Sequence, residues 1–115
     1  APIPVLVFEA VLNGMALFSH SNIALPMKVD HFFKKLIVTP DMHRIHHSVE
    51  VSETNSNYGF NLSIWDRVLG TYKEKALKAQ PEITIGIDAL RSPNELTFYK
   101  LLMMPKNYGK LTYVT

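Results

Sequence analysis

Three histidines fall within five residues in the stretch Thr39-Pro40-Asp41-Met42-His43-Arg44-Ile45-His46-His47-Ser48. If this segment is helical, His43, His46 and His47 stand at i, i+3 and i+4 on one face, and three imidazoles can converge on a volume that holds one metal ion. The local signals favour a helix. Thr39 suits the N-cap, Pro40 suits the first helical position because its missing N–H would have had no partner there, and Asp41 places a negative charge in the first turn. The helix dipole is expected to disfavour protonation of imidazoles near that start, with Asp41 partly offsetting the effect. A cluster of surface histidines titrating near neutral pH would show the same spacing. Metal binding is the better expectation, because imidazole is the commonest protein metal ligand and adjacent histidines otherwise repel when protonated. Spacing alone does not choose the metal.

A fourth histidine, His20, closes an apolar segment that runs from Ile3 to Leu25 and ends at Pro26. Glu9, Asn13, Ala16 and His20 recur at helical spacing and form one narrow polar stripe on an otherwise apolar helix. A carboxylate and an imidazole on such a stripe are normally buried only when paired or ligated, which makes His20 a candidate fourth ligand and Glu9 a candidate partner for a ligating histidine. The competing expectation is a histidine at a helix end, bonded to the backbone.

The chain that must position these groups has 115 residues, 47% hydrophobic and 19% charged, enough for one small domain with a modest core. It opens Ala-Pro directly into an apolar run without a signal-peptide pattern, so it reads as a piece of something longer. The absence of cysteine excludes disulfides, thiolate metal sites and Cys nucleophiles. A formal charge of +2, with scattered lysines, gives no argument for nucleic acid. Ile3 to Phe18 falls short of the roughly 20 residues that span a bilayer, so a helix dipping into a membrane or closing a membrane bundle is the better expectation.

From Lys28 to Val38, the residues Val29, Phe32, Phe33, Leu36 and Ile37 define an apolar helical face, with Lys28, Asp30, Lys34 and Lys35 on the other side. That pattern fits a helix at a membrane surface equally with one packed on the first helix. His31 falls on the polar side and reads as a surface residue. A polar loop from Ser48 to Asn57 follows. Leu62, Trp65, Val68 and Leu69 then give a short helix stopped at Gly70, where Asp66 and Arg67 are either a surface pair or the groups that hold the histidines. Further on, Lys73 to Lys78 is lysine-rich, Ile83 to Ile87 alternates like a short strand, and Ser92-Pro93-Asn94-Glu95 opens a helix expected to stop at Pro105.

The histidine stretch, followed by Asn57-Tyr58-Gly59-Phe60-Asn61-Leu62-Ser63-Ile64-Trp65-Asp66-Arg67-Val68-Leu69-Gly70-Thr71-Tyr72, resembles the C-terminal signature of the fatty acid hydroxylase superfamily, also called the sterol desaturase family. His20-Ser21-Asn22, with Leu25-Pro26 after it, matches the segment before that family's final histidine box. The resemblance covers about Phe8 to Tyr72 and implies a mainly α, membrane-embedded helical enzyme with a di-iron centre, of which this chain is the C-terminal part. It makes His43, His46 and His47 the last box and His20 the isolated ligand before it, while His31 matches nothing. Glu9, Asn57 and Asp66 become the residues expected to orient those ligands. It further implies Fe as cofactor, a lipid substrate (fatty acyl or sterol-like), O2, an external electron donor, and a multi-pass membrane protein with this segment at the cytosolic face. Residues 1–72 would belong to the catalytic domain, and 73–115 would be an extension, with a small extended segment, packed on the cytosolic side. Family members carry further boxes of the His-x-x-x-His and His-x-x-His-His kind upstream, so the fragment by itself is expected to be inactive. Two other function classes stand beside this one: a zinc hydrolase, with Glu9 or Glu50 as general base, and a non-catalytic membrane-surface metal-binding module.

Overall fold

The computed structural model describes residues 2–87, 91–94 and 96–107. The chain is mainly helical, in the order α1 (Pro2–Ser19), α2 (Met27–Phe33), α3 (Pro40–His46), α4 (Val51–Thr54), α5 (Ile64–Leu69), a 3-10 turn (Gln80–Glu82) and α6 (Phe98–Asn107). Among the described residues no sheet forms; two isolated antiparallel bridges join Ile37 to Leu62 and Ser48 to Ile85. Two compact units result, Ala1–Ile85 and Gly86–Thr115. The second unit contains α6, which starts later than the capping pattern at 92–95 suggests and carries Pro105 in its last turn instead of ending there. Glu95 of that pattern lies outside the described residues.

In the first unit the usual burial pattern is reversed. Val38, Met42 and Ile45 form the buried apolar core, while Asp30, Thr39, His43, Glu53, Asn57, Ser63 and Asp66 are buried polar residues beside it. Burying so many polar groups is tolerable only when each is hydrogen-bonded, so the fold depends on a connected polar network. α3 begins as its sequence suggests: Thr39 caps it by accepting from the Met42 N–H at 3.4 Å, and Pro40 occupies the first turn. The Thr39 hydroxyl also donates to Asp30 Oδ1 at 2.6 Å, and Lys34 pairs with the same carboxylate at 3.0 Å. Asp30 is therefore an anchor for the histidine helix, although helical periodicity puts it on the charged side of α2.

α2 ends at Phe33, earlier than its apolar pattern, because residues 36–38 leave the helix to pair with 61–63. Val38 N–H reaches Asn61 O at 3.0 Å and Ser63 N–H reaches Leu36 O at 3.1 Å. α5 stops at Gly70, whose φ of 73° suits glycine. Segment 73–85 is part of the first unit and laps over α3 and α4. Leu77 N–H donates to Glu53 Oε1, Gln80 bonds Asp41 O at 3.1 Å and accepts from Arg44 at 3.1 Å, and Val49 N–H meets Thr84 O at 2.9 Å. The short alternating segment thus finds its partner in the residues directly after the histidines.

α1 is the exception to this network. Its 18 residues give about 27 Å at 1.5 Å per residue. Its length and apolar composition are enough to cross a membrane, and only 6% of it is buried. The helix is thus at the lower end of the spanning range, longer than the Ile3 to Phe18 run suggests.

Candidate metal centre

Two elements bring the histidines together. His20 follows the last residue of α1, and His43 and His47 stand one helical turn apart at the end of α3. Their Nε2 atoms form a nearly equilateral triangle: 3.1 Å from His20 to His43, 3.2 Å from His20 to His47, and 3.0 Å from His43 to His47. Nitrogen ligands about 2.1 Å from a common metal and mutually at right angles would be about 3.0 Å apart, so the spacing fits a three-nitrogen face.

The proton count supports the same fit. His20 Nδ1 lies 2.9 Å from the carbonyl of Ala16, which can only accept, so the proton is on Nδ1 and Nε2 carries a bare lone pair. Three short Nε2 contacts then have at most two protons between them, and a cation removes the shortfall. His43, 7% exposed, leaves its buried Nδ1 without a partner among the described residues. His20 combines both expectations for it: one ring nitrogen serves the helix end and the other joins the cluster.

His46 occupies a different position. Its ring stacks on His43 with centroids 5.7 Å apart, and its Nδ1 donates to the carbonyl of Ser56 at 2.9 Å, leaving Nε2 free of a proton but outside the triangle. The i, i+3 and i, i+4 neighbours lie on opposite sides of His43 around the helix, which separates His46 from His47. Tyr58 borders the His46 ring at 5.5 Å.

His43 is lowered to about 4 by burial first and then by the neighbouring imidazoles His47, His20 and His46. His47 is also lowered, again by burial first and then by His46 and His20. The cause is not the start of the helix dipole: α3 is so short that the histidines sit in its last turn, where the dipole favours a cation. Neutral imidazoles are what a metal requires. For the metal-free chain the sign follows directly. A histidine depressed in the folded state contributes full stability above its unfolded value of 6.5 and loses it as pH falls toward about 4. The loss from His43 amounts to about 3 kcal/mol. Glu53 is also depressed: burial raises it, but hydrogen bonds from Ser48 and Leu77 and the charges of Lys73 and Lys78 outweigh that, so a further loss is expected below 4.5. Urea midpoints of metal-free protein between pH 7 and 4 should therefore fall continuously, and a midpoint constant down to pH 5 would contradict the neutral cluster.

The remaining sequence candidates do not touch the histidines. Glu9 is exposed and accepts from Asn13 Nδ2 at 3.1 Å, and the ligand-orienting role proposed for it is filled by the Ala16 carbonyl. Asn57, fully buried and at φ 52°, donates to Met42 O at 3.1 Å and Lys73 O at 2.9 Å, and accepts from Lys73 N–H at 2.8 Å. Asp66, 1% exposed, accepts from Tyr58 N–H at 2.7 Å, Gly59 N–H at 2.8 Å and the Thr71 hydroxyl at 2.6 Å. Both residues fix the loop whose Ser56 carbonyl orients His46, one bond further out than sequence reasoning placed them. Arg67 stacks on Tyr72 at 3.7 Å and donates to Lys34 O at 3.0 Å rather than to Asp66. His31, at the surface, lies 3.6 Å from Glu74 and away from the cluster. Glu50, exposed, precedes α4.

An apolar membrane-length helix ending at a three-histidine face is the arrangement of a membrane metalloenzyme, and comparison with known proteins narrows the class. Residues 1–71 match the fatty acid hydroxylase family, and the chain belongs to it. It is similar to the ornithine lipid hydroxylase OlsE of Rhizobium tropici, with 38% identity over 87 residues, covering 74% of this chain and 25% of that protein. The chain thus spans about a quarter of the length of this relative. No solved structure matches it.

Proposed function

We propose that this chain is the C-terminal part of a membrane-bound, O2-dependent di-iron enzyme that hydroxylates a lipid, with His20, His43 and His47 holding one iron and His46 reaching the second. The convergence of three Nε2 atoms at 3.0–3.2 Å carries the reading. Family membership and the lipid hydroxylase relative support the lipid substrate and weigh against a zinc hydrolase, and no observation places Glu9 or Glu50 as a general base. When bound, the iron pair supplies dioxygen activation and removal of hydrogen from an unactivated C–H bond.

The chain's own residues have separate tasks in this scheme. The Ala16 carbonyl fixes the His20 tautomer, and the Ser56 carbonyl fixes that of His46. Burial keeps His43 and His47 neutral. The Asp30–Thr39 and Asn57–Met42 bonds fix α3 at both ends of its first turns. Electrons come from an external donor, since no flavin, haem or nicotinamide motif is present in this sequence. The segment faces the cytosol with α1 leading into the bilayer. The test is metal analysis of the intact membrane protein and of the 115-residue chain. Two irons per intact protein and weak or absent binding by the chain alone are expected, because half a ligand set leaves coordination positions to water. Tight binding of two metals by the chain alone, or zinc with hydrolytic turnover in the intact protein, would overturn it.

A further inference from the structure

We infer that α5 and the loop before it form a second lipid-contacting surface, an in-plane shelf continuous with α1 on which the hydrocarbon of the bilayer rests. α5 is two-sided at close range. Asp66 and Ser63 are turned into the polar network, while Trp65, Val68 and Leu69 are 58%, 71% and 73% exposed. Six residues that sink a buried carboxylate on one side and leave three large apolar side chains bare on the other need an apolar phase next to them.

Continuity with α1 decides which phase that is. Val11 and Leu12 of α1 face Phe60, Leu62 and Trp65 across an apolar groove of about 460 Å³. The shelf therefore meets α1 along its length rather than at its end, and a bilayer receiving α1 reaches the groove as well. The shelf cannot swing away, because the Ser63 hydroxyl donates to Lys34 O at 2.7 Å, Arg67 to the same carbonyl at 3.0 Å, and Ser63 N–H to Leu36 O at 3.1 Å. Those bonds also join it to the exposed Phe32 and Leu36. An indole beside a cationic side chain such as Arg67 suits the boundary between hydrocarbon and headgroups. The inference goes beyond the proposed hydroxylation, since it concerns where the chain meets lipid and does not depend on metal.

Trp65 is the sole tryptophan of the chain and reports on its own surroundings. The chain is reconstituted in phosphatidylcholine vesicles with or without brominated acyl chains, and Trp65 fluorescence is read with aqueous iodide as the opposing quencher. Quenching by bromine and protection from iodide are expected. In the double variant V68K/L69K, two exposed positions that leave the polar network intact, docking of the shelf should weaken at least about tenfold. Bromine quenching should then fall while the chain stays vesicle-bound through α1. A vesicle-bound chain whose Trp65 is open to iodide and untouched by bromine overturns the shelf while leaving the membrane reading of α1 in place. Protection of Trp65 that depends on protein concentration and not on lipid assigns the surface to a second copy and overturns it too. Failure to bind vesicles at all overturns both readings, and metal content of the intact protein remains a separate measure of the proposed enzyme.

Discussion

Alanine at His20, His43 or His47 is expected to abolish lipid oxidation by the intact protein and to empty the iron these residues share, while the protein still reaches the membrane. Each supplies one corner of a triangle whose sides are 3.0–3.2 Å, so removing one leaves two nitrogens where three were positioned. A site with two ligands and no replacement loses its affinity rather than a fraction of it. His46→Ala is expected to differ in kind. Its Nε2 lies outside the triangle and its orientation is set independently by the Ser56 carbonyl, so the variant should retain one iron in place of two and be equally inactive. His31→Ala should stay within about twofold of wild type, as expected of a surface residue paired loosely with Glu74 at 3.6 Å. Iron per protein and lipid oxidation on equal amounts of membrane-inserted protein separate the three outcomes. Equal iron content in the His46 and His43 variants would mean that all four histidines serve one site.

The histidine helix and its cap were legible because both are local: Thr39, Pro40 and Asp41 act within one turn, and a spacing of i, i+4 fixes His47 beside His43. The contribution of His20 was legible too, because a polar stripe on an apolar helix requires a partner. The scaffold around them was less so. Asp30 looks solvated by periodicity, yet a hydroxyl nine residues later claims it. Segment 73–85 has no periodicity that would assign it to α3 and α4, and its attachment to them consists of single hydrogen bonds between residues 24 to 39 positions apart. Separating His46 from the other three needed three-dimensional information, because i+3 and i+4 differ by only one residue in sequence but fall on opposite sides of His43. With three apolar side chains in the core, hydrophobic pattern could not reveal a fold whose interior is polar.

Asp66→Ala is expected to cost about 3–5 kcal/mol, the largest loss from any position that touches no histidine. The carboxylate is 1% exposed and collects two backbone N–H groups and a hydroxyl, and its own backbone carbonyl accepts from Thr71 and Tyr72. Alanine leaves the Tyr58 and Gly59 N–H groups buried without acceptors, and each such group carries a penalty of about 1–3 kcal/mol. Water is poorly placed to replace the carboxylate, because the backbone at Gly59 approaches so closely that a Cβ there would sit 2.7 Å from Asp66 Oδ2 and from the Leu62 carbonyl oxygen. Gly59→Ala should therefore be nearly as damaging, as the Leu62 backbone cannot yield. Asp66→Asn keeps one acceptor oxygen and presents an NH2 group to the other donors, so an intermediate loss is expected. The loop held by Asp66 carries Ser56, hence the Asp66 variants should also loosen His46 and lower retention of the second iron more than that of the first. Hydrogen exchange at the Tyr58 and Gly59 amides measures the first effect and iron content the second. Fast exchange at those amides with both irons retained would show that the loop does not position His46.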